Sequence, residues 1–332
     1  MNYIGSKNKL SSFIFETISE VAGKDLSNKI FCDLFAGTGI VGRNFKPCVK
    51  QIISNDVEFY SYVLNRNYIG NHTLFSSEKF LEELNKVKGK KGFIFQQYSE
   101  GGKAGRNYFT SENGQKIDAI RLQIERWKKT SEISEDQYYF LLASLMESAD
   151  KVANTASVYA SYLKQIKVSA AKPIHIKPAL FQITENNHQV FQQEGNQLIK
   201  NIEGDILYLD PPYNGRQYGA YYHLLNTIAK YDTFVPSGKT GLRNYYKSEY
   251  CKKGEVLNSL ADLIKKAQFP YIFLSYNNEG LMSRDEVETV MKRFGKYSLK
   301  TKQYQRFKAD KTENRNHVAT KTYEYLHILE KK

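Results

Sequence analysis

"KIFCDLFAGTG" fills residues 29–39. An apolar run meets an acid, Asp33, and then a turn holding Gly37 and Gly39, with Ile40 and Val41 directly behind it. Such a string reads as a buried strand, a tight turn and the start of a helix. The next apolar run, "QIISND" (51–56), is a second short strand closed by Asp56, and a helix is expected from about Glu58 to Tyr68. Strand, glycine turn, helix, strand and acid together open a parallel α/β sheet. In front of it, Leu10, Phe13, Ile14, Thr17, Ile18 and Val21 fall at helical spacing and predict a helix over 8–22.

Beyond residue 69 the pattern changes. Residues 70–115 mix Asn, Gly, Lys and Phe, and "KGKKG" and "EGGKAG" read as loops. Two amphipathic helices are expected at 116–130 and 134–149, the second capped by Ser134 of "ISED". An irregular stretch runs to about 187. The sheet pattern then resumes with "HQVFQQE" (188–194), "DILYLD" (205–210) and "YIFLSY" (271–276), with helices near 220–231 and 254–267. "YSLKTKQYQRF" (297–307) and "KTYEYLHILEK" (321–331) alternate as an antiparallel pair would. The reading is one α/β sheet domain, residues 1–69 with 188–332, interrupted by an insert at 70–187.

The 332 residues suffice for a large core, and 41% hydrophobic with 25% charged residues is a soluble globular composition. No run approaches the length of a membrane span, and the polar, basic start "MNYIGSKNKL" is no signal peptide. Cys32, Cys48 and Cys251 have neither disulfide nor zinc spacing and suit a reducing cytoplasm. His175, His188, His223 and His317 are scattered, without metal-ligand spacing. The formal charge is +13, and it is concentrated: residues 86–130 carry eleven Lys/Arg against four acids. A basic surface can be merely solvated, but clustered charge points to a polyanion such as nucleic acid. Tyrosines interleaved with basic residues, as in "LRNYYKSEYCKK" (242–253), suit phosphate contact with base stacking.

Two strand ends carry the chemistry. At the first, Gly37 and Gly39 would let the backbone approach a ligand. There is no Gly-Lys-Ser/Thr for a P-loop, and the third glycine of the dinucleotide fingerprint is missing. Asp56 stands where an acid accepts ribose hydroxyls. Asp33 would repel a pyrophosphate and suit an ammonium group. Ribose, ammonium and no phosphate describe S-adenosylmethionine. At the second, Asp210-Pro211-Pro212-Tyr213 ends an apolar strand. The prolines lack N–H donors but keep their carbonyls. With the Asp210 carboxylate they form an acceptor group beside the flat face of Tyr213. An aromatic ring bearing an exocyclic –NH₂ fits that shape. Alone, the string could be a proline turn with a helix-capping acid; behind an FAGTG turn it reads as an amine-methylating site.

These motifs resemble the D12 class of adenine-N6 DNA methyltransferases, the Dam-like group, over most of the chain. "NYIGSK" (2–7) is similar to the N-terminal motif, FAGTG to the cofactor loop, "SND" (54–56) to the ribose acid and DPPY to the catalytic motif. The insert falls between cofactor loop and DPPY, as in the α group. "NGRQY" (214–218) and "YYHLLNTIAKYD" (221–232) resemble restriction-modification methylases, some of which read CATG, a hint about the target and no more. The resemblance implies a Rossmann-like class I S-adenosylmethionine-dependent sheet, with residues 70–187 as target-recognition domain. It implies Tyr3 and Lys7 at the cofactor, Phe35, Ala36, Gly37 and Gly39 lining its pocket, Asp56 on the ribose and Glu194 near the cofactor adenine, where the family usually has Asp. Asp210 would lie between cofactor and target amine, and Tyr213 would stack on a flipped adenine. It implies no metal, a double-stranded DNA substrate and a restriction endonuclease acting on the same site. Arg106, Asn107, Arg121 and Arg126 are candidate DNA contacts in the insert. Competing readings are an RNA adenine, cytosine-N4 or protein-glutamine methylase, or a non-catalytic DNA-binding module. Asn in place of Asp210 would favour glutamine, and Ser would favour cytosine.

Overall fold

A computed structural model describes residues 7–305 and 321–332. By contact the chain divides into two units. One unites 5–65, 184–217 and 246–332, and the other unites 66–183 with 218–245.

The first unit is built on a seven-stranded sheet, in the order β3-β2-β1-β4-β5-β7-β6. The strands are β1 (Ile30–Asp33), β2 (Gln51–Asn55), β3 (Gln189–Phe191), β4 (Ile206–Leu209), β5 (Tyr271–Asn277), β6 (Gly295–Gln305) and β7 (Lys321–Lys331). The first five are parallel, and β7 runs antiparallel between β5 and β6. All four residues of β4 are buried, the mark of a central strand covered on both faces. Alternate residues of β1 serve opposite faces. Cys32 joins Leu207, Leu209, Leu260, Leu263 and Leu274 in one core. Phe31 stacks on Phe45 at 4.2 Å, and Phe45 also meets Phe15 of the helix Ser11–Ala22. The expected α/β architecture and the closing antiparallel pair are both present.

From β1 the chain moves outward to β2 and β3, then returns to lay β4 on the other side of β1. The switch therefore falls between β1 and β4, where the strands' carboxyl ends leave a crevice in open α/β sheets. Asp33 pairs in register with Tyr208, and the Leu34 amide donates to the Tyr208 carbonyl at 3.2 Å. The FAGTG turn and DPPY thus leave the sheet side by side.

The second unit is helical. Its helix Glu135–Lys151 is apolar nearly all round and buried at eleven positions, as a central helix must be. Ser134 caps it through a capping box with Gln137. Before it, Ser111–Lys129 starts five residues earlier than its periodicity predicts, capped by Thr110. "KGKKG" (88–92) and "EGGKAG" (100–105) are loops as expected, and beside them the mixed stretch holds helices Glu78–Lys86 and Phe93–Tyr98. Residues 218–245, expected with the catalytic region, belong to this unit instead. Asp118 accepts the amides of Gly92, Ile94 and Phe95 and the hydroxyl of Tyr231. Arg121 donates to the carbonyls of Ile228 and Ala229. Tyr98 donates to Gly241 O, and Arg106 donates to Gly238 O and Lys239 O. Arg121 is therefore corrected as a DNA contact: it is buried, and its guanidinium is spent on carbonyls, Glu125 and Tyr138. Arg126 is exposed, and Lys88, Lys90, Lys91 and Lys103 are exposed with it.

Candidate active site

All the site residues that can be placed lie in the sheet unit. Tyr3 lies outside the described residues. Gly37 and Gly39 both have positive φ, 54° and 74°. A Cβ at position 39 would fall 2.5 Å from Asn65 Oδ1, so the turn excludes any side chain there. Gly39 starts the helix Ile40–Phe45. Asp56 holds the loop from one side: its Oδ2 accepts from Gly37 N at 2.8 Å and its Oδ1 from Glu58 N at 2.9 Å. From the other side Ser61 Oγ and Asn65 Nδ2 both donate to the Gly37 carbonyl. Ser54 Oγ donates to Asn65 Oδ1 at 2.8 Å and orients that amide.

Asp56 is only half-buried, and a carboxylate has about four lone-pair sites. Two backbone donors leave acceptor capacity for a diol. Burial raises its pKa, and the Glu58 and Gly37 amides work against that rise. Asn55 donates to Leu34 O and Gln193 O and accepts from Gln193 N. It ties the FAGTG turn to the segment after β3. There Glu194 caps the short helix Gly195–Leu198, accepting from Asn196 N and Gln197 N. Half-buried Phe35 lies against Gly195, where a Cβ would stand 3.1 Å from its ring. Phe35 also meets Tyr250 edge-on at 5.1 Å. So Phe35, Gly195 and the base of Glu194 are neighbours, and Ala36 and Gly37 are buried behind them.

Asp33 is 1% exposed. Its Oδ2 accepts from Gly42 N at 3.2 Å, while its Oδ1 is buried with no hydrogen-bond partner. Burial, and then the nearby Asp210 carboxylate, push its pKa up to about 8. A buried oxygen without a donor costs free energy unless a ligand supplies one. The ammonium of an amino acid would do so. The glycine cradle, the Asp56 acceptor and the orphaned Asp33 oxygen together fit S-adenosylmethionine.

At the end of β4, Asp210 keeps 21% of its side chain exposed, and Lys7 Nζ lies 2.9 Å from its Oδ1. The same ammonium lies 3.1 Å from Glu324 Oε1 on β7. Burial pushes the Asp210 pKa up to about 6; Lys7 pulls it down and Glu324 adds to the rise. Against the cost of burial, Asp210 and Glu324 hold the Lys7 ammonium well above the ordinary lysine range. Pro211 is buried and Pro212 half-buried. Tyr213 is half-buried, and its carbonyl accepts from Leu281 N at 2.8 Å and from Tyr276 OH at 3.3 Å. The loop after β5 thus fixes the DPPY backbone.

A family model described as "D12 class N6 adenine-specific DNA methyltransferase" matches residues 3–290. The chain is 62% identical to "Type II methyltransferase M.NlaIII" of Neisseria lactamica, over 100% of this chain and 99% of that protein. It is 38% identical to "Type II methyltransferase M.CviAII" of Paramecium bursaria Chlorella virus 1, covering 93% of each. Identity is also 38% to "Type II methyltransferase M.FokI" of Planomicrobium okeanokoites, where all of this chain spans 53% of the other. Matches of that extent, with DPPY and FAGTG astride the sheet's switch point, settle the family and with it the reaction, methylation of adenine N6 in DNA. The chain belongs to the D12 class of N6 adenine-specific DNA methyltransferases.

Proposed function

We propose that methyl transfer takes place at the carboxyl ends of β1 and β4, with the roles divided as follows. Asp33 receives the ammonium of S-adenosylmethionine, Asp56 its ribose, and Phe35, Ala36, Gly37 and Gly39 line its pocket. Glu194 stands at the adenine end, and Tyr3 and Lys7 approach from the N-terminal segment. S-adenosylmethionine supplies a methyl group whose carbon bonds to N6 as the sulfur keeps the electron pair of the breaking bond. Asp210 and the proline carbonyls accept hydrogen bonds from the N6–H groups, which favours a tetrahedral nitrogen with its lone pair free. As N6 bonds to carbon it becomes cationic, the Asp210 carboxylate faces that charge, and one N6 proton then passes to solvent water. The gain is positioning plus electrostatics. The observation that carries this reading is the β1–β4 pairing, which brings Asp33 and the DPPY strand together at one sheet edge. No group of three or more His, Cys, Asp and Glu among the described residues is placed to hold a metal ion, and these steps use none.

A stacked adenine cannot reach a pocket of this kind, so the base is flipped out of the duplex. Tyr213 offers the plate on which it rests. Tyr213→Ala should weaken capture of the extruded base by about 1–3 kcal/mol, the worth of a base–aromatic stack. Tyr213→Phe keeps the ring and should retain most activity. Single-turnover methylation with 2-aminopurine fluorescence at the target position tests both, starting with a CATG duplex. A Tyr213→Phe protein as inactive as Tyr213→Ala would show that the hydroxyl, not the ring, is what matters.

The helical unit, residues 66–183 with 218–245, reads the duplex. The exposed lysines of 86–130 meet phosphates. Reversing Lys88, Lys90, Lys91 and Lys103 to Glu should flatten the plot of log affinity against log salt by about 0.9 for each phosphate the variant leaves unneutralised. Cofactor binding should be unchanged. A wild-type salt slope in the folded variant would remove these lysines from the DNA face. As a bacterial type II modification enzyme the protein works in the cytoplasm beside an endonuclease that cuts the same sequence. No helix among the described residues is long and apolar enough to cross a membrane.

A further inference from the structure

We propose that Glu324 is a positioning residue for methyl transfer, holding Lys7 beside Asp210 and offsetting its charge so that Asp210 is both fixed and left with unspent negative charge. This rests on the reading of Asp210 as the acceptor of the target amine.

The geometry is a chain of contacts inside the sheet unit. Glu324 is 1% exposed, on β7. Its Oε1 accepts from Ser275 Oγ of β5 and lies 3.1 Å from Lys7 Nζ. Glu324 pairs in register with Asn277, so the antiparallel β5–β7 ladder sets its height at the strand end. Lys7, 5% exposed, sits in a short helical turn, Lys7–Leu10, and reaches both carboxylates. A buried acid on β7 would gain nothing from such a place unless the cation it holds were needed there, because burying charge is costly.

With Lys7 alone, Asp210 would belong to a neutral pair. The cation developing on the target nitrogen would then face a carboxylate whose charge an ammonium 2.9 Å away already offsets. With Glu324 the cluster carries, among the described residues, two carboxylates and one ammonium. Lys7 still anchors Asp210 Oδ1, and the net charge facing the amine is negative. Among the described residues, the other groups that bear on Asp210 are Asp33 from β1, Tyr208 from β4 and Tyr213 in its own turn. None of these is a cation that could replace Lys7.

The test is Glu324→Gln, which keeps size and one acceptor oxygen and removes the charge. Single-turnover methylation should slow by about 10²-fold, the scale of a small misplacement at a reacting centre. Affinities for duplex and cofactor should stay as in wild type. Carboxyl-carbon NMR of the unliganded protein should show Asp210 titrating at lower pH, since the Glu324 charge that opposes its ionisation is gone. Glu324→Asp, which keeps the charge, should return that titration toward wild type. In a Lys7→Met background, Glu324→Gln should cost nothing further, because no lysine remains to be held. A wild-type rate for Glu324→Gln, or losses from Lys7→Met and Glu324→Gln that simply add, would overturn the proposal. If Glu324→Gln does not fold, the comparison of Lys7→Met with the double variant decides it, a slower double variant counting against. An active Asp210→Ala protein would instead remove the reading on which the proposal rests, whatever Glu324 does.

Discussion

Asp210→Ala protein should still bind duplex DNA and cofactor and should transfer the methyl group about 10²–10³ times more slowly, the usual cost of about 2.7–4 kcal/mol for one preorganised electrostatic group. The loss falls on the chemical step because Asp210 acts on the amine as it turns tetrahedral. The fold should survive. Removing Asp210 leaves Lys7 paired with Glu324, so no buried charge is stranded. Asp210→Asn should fall between, since its amide oxygen still accepts but carries no charge. The pH profile gives a second check. The active form is the carboxylate, and its pKa in the free protein is about 6. In the saturated complex the rate should be level above the pKa that the carboxylate has there and fall about tenfold per unit below it. Rapid-quench single turnovers with labelled cofactor make the measurement. Near-wild-type turnover in folded Asp210→Ala would end the mechanism.

The central strands were legible in the sequence because parallel strands covered on both faces are written as continuous apolar runs, and β4 and β5 are such runs. The glycine turn was legible for a similar reason: φ of 54° and 74° admits little else. The helical unit was not. Helix Phe93–Tyr98 is six residues long, and its first amides are capped by Asp118 from beyond the next turn of chain. No local signal announces a cap supplied at that distance. The membership of 218–245 was hidden in the same way. Arg121 meets Ala229, and Asp118 meets Tyr231, across more than a hundred residues.

At the site, motif residues announced themselves and their supports did not. Ser61 and Asn65 stand one helical turn apart on the buried side of Phe59–Asn65, and both end on the Gly37 carbonyl. Two polar residues on an otherwise apolar helix face are a readable signal, since buried polar groups are there to be bonded. Glu324 had no such signal. In "KTYEYLHILEK" an acid near the start of a strand reads as solvent-facing surface, although alternation puts it on the face of Leu326 and Ile328. Only the insertion of β7 between β5 and β6 buries it.

Asp33→Asn protein should lose cofactor affinity by about 1.5–3 kcal/mol, the worth of a hydrogen bond to a charged group, and should lose the pH dependence of that affinity as well. In the free protein Asp33 has a pKa of about 8, so at pH 7 it is mostly protonated. An ammonium on its orphaned oxygen favours the carboxylate. Binding should therefore release a proton, and affinity should rise with pH until the ligand's own α-amino group, with a pKa of about 7.7–8.0, begins to deprotonate. The unliganded protein should show the opposite slope. A carboxyl whose pKa is raised on folding binds its extra proton between the ordinary carboxylate range and about 8, so stability falls as pH rises through that window. Asn, which mimics the protonated acid in shape and has no charge to bury, should flatten that slope without unfolding the turn, because its oxygen can still accept from Gly42 N. Calorimetry at pH 7 in buffers of different ionisation enthalpy reads the proton count directly. Net release by wild type and none by Asp33→Asn is the expected pair of results. Equal proton release by the two proteins would place the ammonium elsewhere and leave the buried Asp33 oxygen to the fold alone.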